Sequence, residues 1–250
     1  MQIASVNRES SIVNNLQAFT VNYQQHLLKG DVCTGRRATD DILCIHGAGK
    51  SDRSRYSILR STLQERGFGS VAFDCIGHGE TGGLFEQSSL ISRTNQANAV
   101  LQALDMKKSL TVIGASMGAY SAINSMQTRR VDSLILIVPA VYTPDANQIP
   151  FGPKFSSIIR QHRSWATTDA WKHMENFTGS LLVIAAEDDD VIPFEIPQQL
   201  IRSASASCWK KLRVVKGAGH SLLSSLLKNQ PTTDNIMEDI VTCIESGSAI

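Results

Sequence analysis

Three side chains of types that together perform nucleophilic catalysis lie far apart in this chain: Ser116, an aspartate within Glu187–Asp190, and His220. A serine hydroxyl is a weak nucleophile at neutral pH, so it needs an adjacent base. Imidazole can take the hydroxyl proton and later return it to a leaving group. A carboxylate beside the ring holds its tautomer and stabilises the imidazolium. These residue types therefore predict covalent catalysis, provided that the fold brings them together.

The residues around Ser116 predict a sharp corner between a strand and a helix. An apolar run ending at Ile113 is followed by Gly114-Ala115-Ser116-Met117-Gly118. The two glycines flank the serine at positions where side chains would collide in such a corner. The corner would expose the Ser116 hydroxyl and leave the Met117 N–H at the start of the helix, where it can stabilise a negative oxygen. The alternative is a glycine-rich turn with an incidental serine.

Strand and helix patterns alternate along the rest of the chain. Short apolar runs typical of buried strands occur at 41–45, 70–74, 134–138, 181–185 and 211–215. Helical patterns lie between or after them, at 54–66, 88–105, 117–128, 195–204 and 233–246. This alternation predicts an α/β fold with a mostly parallel central sheet flanked by helices.

Two local patterns carry more detailed predictions. Phe19–Tyr23 alternates apolar and polar residues like a half-buried strand, and Lys29-Gly30-Asp31 predicts a turn after it. The helix at 88–105 is expected to bury a stripe of apolar side chains: Leu90, Ile91, Ala97, Val100, Leu101 and Leu104.

Residues suited to chemistry follow five of the predicted strands. They are His46-Gly47-Ala48, Asp74, Ser116, the run Glu187–Asp190, and His220. Because ligands bind at the carboxyl ends of strands in an open parallel sheet, we expect these residues to converge on one edge.

Across residues 15–245 the chain resembles the α/β-hydrolase superfamily of serine hydrolases. The resemblance implies the α/β-hydrolase fold and a triad of Ser116, Asp189 and His220. In the family pattern the acid stands four residues before a proline, and Pro193 then indicates Asp189. Ala186 stands where family members usually carry a glycine, so Asp188 remains an alternative acid. The matching segments are His46–Gly49, Asp74–Gly79, Gly114–Gly118, Glu187–Pro193 and Gly217–Ser221.

The resemblance also implies binding residues. The N–H groups of Ala48 and Met117 would form the oxyanion hole. Substrate-binding positions are expected at His46, Gly47 and His78. For His46 two further interpretations exist, a second catalytic histidine or a residue that holds its loop by hydrogen bonds, and we favour the second. Asp74 would brace the adjacent turn.

Residues 141–179 interrupt the alternation and are rich in aromatic residues. By resemblance they form a small cap over the site, in which Tyr142 and Trp165 contact an apolar substrate. The alternative is that the aromatic residues only pack the cap onto the sheet. The charges of this segment nearly cancel and give no reason to expect a strongly anionic substrate: Lys154, Arg160, Arg163 and Lys172 against Asp145, Asp169 and Glu175.

Composition limits the remaining possibilities. A chain of 250 residues, 42% of them hydrophobic, is expected to form one domain over 1–250, with the cap at about 141–179. The formal charge of +1 gives no sign of nucleic-acid binding, and the lack of a long apolar run argues against a membrane span. Five scattered cysteines without a C-x-x-C pair indicate neither disulfides nor zinc, which favours the cytoplasm.

The sequence therefore predicts a cytoplasmic serine hydrolase that cleaves an ester or thioester of a small to medium, apolar acyl group through an acyl-enzyme. It requires no metal or organic cofactor, and its oligomeric state is left unassigned. Two alternatives remain open. The scaffold could carry carbon–carbon bond hydrolysis or a lyase step, or it could be a ligand-binding protein without catalysis.

Overall fold

The structure is a computed structural model that describes residues 6–13, 16–37, 40–106, 109–225 and 230–249. Within these residues nine strands form one sheet in the order β1-β2-β3-β5-β4-β6-β7-β8-β9. Their bounds are β1 Val6–Val13, β2 Leu16–Tyr23, β3 His26–Cys33, β4 Asp40–Ile45, β5 Ser70–Phe73, β6 Ser109–Ala115, β7 Ser133–Ile137, β8 Ser180–Ala186 and β9 Trp209–Val215.

The six strands from β5 across to β9 are parallel, and β1, β2 and β3 extend the sheet in antiparallel pairing. The described helices, apart from short 3-10 turns, are α1 Ser57–Glu65, α2 Leu90–Ala103, α3 Met117–Ser125, α4 Pro153–Ile159, α5 Ala170–Glu175, α6 Glu195–Ser203, α7 Leu222–Ser225 and α8 Gln230–Ser248. The predicted α/β fold with a mostly parallel sheet is confirmed.

Two apolar cores cover the two faces of the sheet. Side chains of α2, α3 and α6 pack against one face, and side chains of α1 and α8 pack against the other. The central strands β7 and β8 are buried at every position, as expected for strands covered on both sides. The helices thereby hold the parallel strands so that their carboxyl ends lie at one edge.

The predicted turn at Lys29–Asp31 is wrong, because β3 runs straight through these residues. The chain turns earlier, between Tyr23 and His26, where Gln24 has a positive φ of 53°. Gly30 pairs with Phe19 on β2, and a Cβ at Gly30 would come within 2.3 Å of the Phe19 ring. This glycine therefore makes room for a neighbouring aromatic ring rather than for a turn.

Candidate active site

The corner predicted at Ser116 joins β6 directly to α3. Ser116 has φ 51° and ψ −120°, a backbone conformation that a residue with a side chain rarely adopts. Neighbouring backbone holds it there: the Ser116 N–H donates to the Ile137 carbonyl at 2.9 Å, and the Ser116 carbonyl accepts from the Ala119 N–H at 3.0 Å. Such strain at a sharp strand–helix corner turns the serine side chain out of the sheet.

The two glycines beside Ser116 allow β6 and α3 to approach closely. A Cβ at Gly114 would lie 2.5 Å from the Gly118 carbonyl oxygen. A Cβ at Gly118 would lie 2.1 Å from the carbonyl oxygen of Ile45, the last residue of β4. Both contacts are with backbone, which cannot rotate away. The spacing of these glycines therefore follows from the packing of α3 against β4 and β6.

Ser116, His220 and Asp189 form one chain of hydrogen bonds. His220 Nε2 lies 3.0 Å from Ser116 Oγ, and His220 Nδ1 lies 3.0 Å from Asp189 Oδ2. The Asp189 carboxylate also accepts hydrogen bonds from the N–H groups of Val191 and Ile192, both at 2.9 Å. Its side chain is only 6% exposed, so its charge points at the imidazole and not at solvent.

Backbone hydrogen bonds join the loops that carry Asp189 and His220. The Asp188 N–H donates to the Ala218 carbonyl at 2.9 Å, and the side-chain carboxylate of Glu187 accepts from the Gly217 N–H at 3.0 Å. Asp188 and Asp190 are exposed, whereas Asp189 alone of the three contacts His220. The turn forms although Ala186 stands in place of the expected glycine: Ala186 is the last residue of β8 and pairs with Val215 of β9.

The loop after β4, residues 46–49, lies against Ser116. A Cβ at Gly47 would meet the Ser116 Cβ at 3.3 Å. His46 is fully buried and accepts the Cys75 N–H on Nε2 at 3.0 Å, so its Nδ1–H donates to the Gly47 carbonyl at 2.6 Å. Burial and the nearby Arg93 cation hold the pKa of His46 well below its usual value. A neutral ring that holds the loop agrees with the favoured interpretation.

Arg93 on α2 is a fully buried cation that binds the same loop. Its Nη2 donates to the His46 carbonyl at 2.5 Å and to the Gly47 carbonyl at 3.1 Å. Within the described residues it has no carboxylate partner, and its Nε and Nη1 have no hydrogen-bond partner. A buried charge without a counter-ion is costly. The hydrogen bonds to the two loop carbonyls therefore offset part of the cost of burying Arg93 beneath this loop. Arg93 was not predicted from the sequence as a site residue, although a charged residue within a buried helix face was a signal.

A cavity of about 290 Å³ opens beside Ser116 and His220. His46, Gly47 and Ala48 line one side of it. Its other lining residues include five polar ones and four that are mainly apolar. The polar residues are Lys50, Ser51, Arg55, Ser221 and Ser224, and the others are Tyr56, Ala115, Val138 and Leu223. None of its described lining residues comes from 141–179.

The other three predicted substrate contacts lie outside the lining of this cavity. The His78 ring is buried, and its centroid lies 4.8 Å from that of the His46 ring. Burial, together with the nearby Arg93 cation, lowers the pKa of His78 to about 4. Tyr142 packs edge-on against Tyr120. Trp165 packs edge-on against Trp171. Substrate contact by these three residues stays a prediction.

Asp74 braces the turn that follows β5. Its carboxylate accepts hydrogen bonds from the N–H groups of Arg53 and Glu80, at 2.8 and 2.9 Å, and pairs with the Arg53 guanidinium.

In the described part of the chain, no cluster of three or more His, Cys, Asp or Glu side chains could hold a metal ion. None of the described helices is long and apolar enough to cross a membrane.

Solved structures with the same fold include three named hydrolases. An esterase from Pyrococcus furiosus, Pf2001, is 17% identical with a TM-score of 0.69, covering 92% of this chain and 93% of its own. Est1E from Butyrivibrio proteoclasticus, solved with ferulic acid, is 18% identical with a TM-score of 0.67, and the match covers 89% of this chain and 99% of Est1E. The thioesterase domain of the curacin biosynthetic pathway is 16% identical with a TM-score of 0.68, covering 92% and 100%.

A comparison with curated proteins found no match. The model of the family described as serine aminopeptidase, S33, matches residues 37–165, which is just over half of the chain. The matched segment contains the β4 loop, the corner at Ser116 and Arg93. The chain therefore belongs to the S33 serine aminopeptidase family of α/β-hydrolases, and it is a hydrolase.

Proposed function

We propose that this hydrolase cleaves a carboxylic ester or thioester through an acyl-enzyme on Ser116. The observation that carries the proposal is the continuous chain of hydrogen bonds from Ser116 Oγ through His220 to Asp189, with each step near 3.0 Å. A nucleophile, a base and an oriented carboxylate in this geometry form the arrangement that serine hydrolases use on unrelated folds. Esterases and a thioesterase among proteins of the same fold agree with the substrate class.

In the first half-reaction, Ser116 Oγ attacks the carbonyl carbon while His220 Nε2 takes the hydroxyl proton. The tetrahedral intermediate collapses as the bond to the leaving oxygen or sulfur breaks. The leaving group departs with the proton from His220, and the acyl group stays on Ser116. Asp189 stabilises the imidazolium that exists between these two proton transfers.

In the second half-reaction, water attacks the acyl-enzyme. His220 takes one water proton and then returns it to Ser116 Oγ as the acyl–oxygen bond breaks. The products are the free carboxylic acid and the original enzyme. This sequence of steps requires no cofactor.

The negative oxygen of both intermediates would bind the N–H groups of Ala48 and Met117. Met117 is the first residue of α3, where N–H groups have no partner within the helix. The Ala48 N–H belongs to the same planar peptide as the Gly47 carbonyl and points the opposite way. Because His46 and Arg93 both donate to that carbonyl, they hold the peptide plane and polarise its N–H. We therefore assign His46 and Arg93 as positioning residues.

We also keep the proposal of one domain over 1–250 with a cap at 141–179. This segment leaves the sheet after β7 and returns at β8, and it contains α4 and α5. The cavity beside Ser116 is small by the standards of ligand pockets, which favours a small to medium acyl group.

A series of p-nitrophenyl esters of increasing chain length tests this function. Wild-type protein should hydrolyse the shorter esters, and Ser116→Ala should lose at least about a thousandfold in kcat. A butyryl thioester and an amino-acyl p-nitroanilide belong in the same panel, since the family description names an aminopeptidase. Inactivity toward all esters and thioesters, or full activity of Ser116→Ala, would contradict the proposal and favour the carbon–carbon hydrolase, lyase or binding alternatives.

A further inference from the structure

Two arginines on one 3-10 turn, Arg53–Tyr56, lie in opposite electrostatic environments. Arg53 is surrounded by carboxylates: it pairs with Asp31 at 2.7 Å, with Glu80 at 2.5 Å, and with Asp74. These contacts neutralise its charge and join the turn to the sheet.

Arg55, two residues later, is held only by neutral groups in the described part of the chain. Its Nη1 donates to Ser224 Oγ at 2.6 Å, and its Nη2 donates to the Lys50 carbonyl at 2.8 Å. These two bonds orient the guanidinium without neutralising it. A guanidinium has five N–H donors, so further donors remain for a ligand.

The cavity beside Ser116 is cationic. Lys50 and Arg55 both line it, together with the hydroxyl side chains of Ser51 and Ser224. No Asp or Glu is among its described lining residues. The nearest catalytic carboxylate, Asp189, is already bound to His220. Positive side chains in a concave site raise the local concentration of anions.

We propose that Lys50 and Arg55 form an anion subsite for the substrate of Ser116. The substrate is then an ester or thioester that carries a carboxylate or a phosphate near the scissile bond. This inference rests on the proposed function and names its substrate class. It differs from the expectation based on the nearly balanced charges of 141–179, because the charged residues that line this cavity, Lys50 and Arg55, lie outside that segment.

The chemistry of the subsite agrees with both kinds of anion. Arginine binds carboxylate and phosphate with paired N–H donors, and lysine adds a flexible point charge. Both side chains are exposed, so salt should weaken the interaction. The hydroxyls of Ser51 and Ser224 can donate to the remaining oxygens.

Two matched pairs of substrates test the subsite. The carboxylate pair is 4-(butyryloxy)benzoate and its neutral methyl ester. The phosphate pair is 4-(butyryloxy)phenyl phosphate and the neutral 4-methoxyphenyl butyrate. For each pair the measured quantity is the ratio of kcat/KM for the anionic substrate to that for the neutral one, which cancels general losses of activity.

The variants are Arg55→Gln and Lys50→Gln, with Lys172→Gln as the control because Lys172 is an exposed cation in 141–179. We expect the ratio of at least one pair to fall about tenfold in Arg55→Gln and about threefold in Lys50→Gln, and to stay at the wild-type value in Lys172→Gln. The pair that responds identifies the anion. Raising NaCl from about 0.05 to about 0.5 M should lower the wild-type ratio in the same pair, because salt screens the attraction between exposed charges.

Unchanged ratios in both active-site variants would overturn the subsite even if Ser116-dependent hydrolysis of the neutral ester is normal. Absence of Ser116-dependent hydrolysis would instead contradict the proposed function. In that case calorimetry with 4-hydroxybenzoate and 4-hydroxyphenyl phosphate still decides the subsite. Binding that is weaker in Arg55→Gln than in wild type supports it, and equal or undetectable binding to both proteins overturns it.

Discussion

Both carboxylate oxygens of Asp189 lie within hydrogen-bond distance of His220 Nδ1, at 3.0 and 3.1 Å. Its neighbour Asp188 is exposed and joins this part of the structure through its backbone N–H. The two aspartates are adjacent in sequence and can be exchanged experimentally without changing the length of the turn.

This relationship predicts opposite results for two amide substitutions. Asp189→Asn should lower kcat by about a thousandfold or more, because an amide can donate to Nδ1 and so favour the wrong imidazole tautomer. Asp188→Asn should keep kcat within about threefold of wild type, since its side chain does not contact His220. Steady-state hydrolysis of p-nitrophenyl butyrate measures both. A large loss in Asp188→Asn with activity retained in Asp189→Asn would reverse the assignment.

Replacing Arg93 should lower the reaction rate without a matching loss of stability. Arg93→Met removes the cation that polarises the Gly47–Ala48 peptide, so we expect kcat to fall about tenfold to a hundredfold with KM little changed. Arg93→Lys should recover part of the rate. Folding should not be weakened strongly, because the variant also removes an unpaired buried charge.

Arg60→Met is the matched control for Arg93. Arg60 is also a buried arginine, but it pairs with Asp31 at 2.5 Å and bonds to Ser70 Oγ at 2.9 Å, away from Ser116. Its loss should lower the free energy of unfolding by about 1–3 kcal/mol, because Ser70 loses its partner while Asp31 keeps Arg53, and should leave kcat at the wild-type value. If both variants lose stability and rate in the same proportion, Arg93 has only a structural role.

The buried His78 ring should make the free energy of unfolding fall as the pH falls below neutrality. Its folded-state pKa of about 4 lies below the value of an unfolded histidine, mainly because the ring is buried. Between these two values the unfolded chain binds more protons, so stability falls as pH falls. For an unfolded pKa of ~6.5, the loss between pH 7 and pH 5 is about 2 kcal/mol.

Urea unfolding of His78→Gln at these two pH values measures this contribution. The difference between the two free energies of unfolding should shrink by about 2 kcal/mol relative to wild type. His162→Gln is the control, because His162 is exposed and should keep the wild-type difference. An unchanged difference in His78→Gln would mean that the buried ring does not titrate in this way.

A single methyl group added at Gly118 should clash with neighbouring backbone. In Gly118→Ala the new Cβ would meet backbone oxygens of β4 and its loop at 2.1 and 2.6 Å, so α3 or the loop must shift. We expect a loss of at least about 3 kcal/mol in stability, measured by chemical unfolding, together with loss of esterase activity. Gly219→Ala is the control, since its Cβ would have only one ordinary contact, at 3.6 Å. Equal stability of the two variants would contradict the close packing described here.

Much of this arrangement was predictable because its signals are local in sequence. Apolar runs between polar turns gave the parallel strands, and residues at strand ends gave Ser116 and His220 as neighbours. The spacing to Pro193 singled out Asp189, whose carboxylate contacts His220. Close packing that depends on distant residues was not predictable. Gly30 looked like a turn residue because its partner, the Phe19 ring, lies on another strand.

The α2 helix illustrates the same limit. Its apolar pattern assigned Ile91 to the buried face, but Ile91 is 45% exposed, whereas Arg93 is fully buried. A charged side chain is buried there because carbonyls of the β4 loop accept its hydrogen bonds, and that loop is more than forty residues away in the chain. Periodicity assigns faces by side-chain polarity and cannot detect such a partner.

The proposed mechanism requires that Ser116 becomes acylated during turnover. The most direct measurement is to stop the reaction with p-nitrophenyl butyrate in acid and to locate the butyryl group by peptide mass spectrometry. We expect a butyryl adduct on the peptide containing Ser116 and none in Ser116→Ala, which should also lose turnover. A butyryl group on another residue, or undiminished turnover by Ser116→Ala, would contradict it.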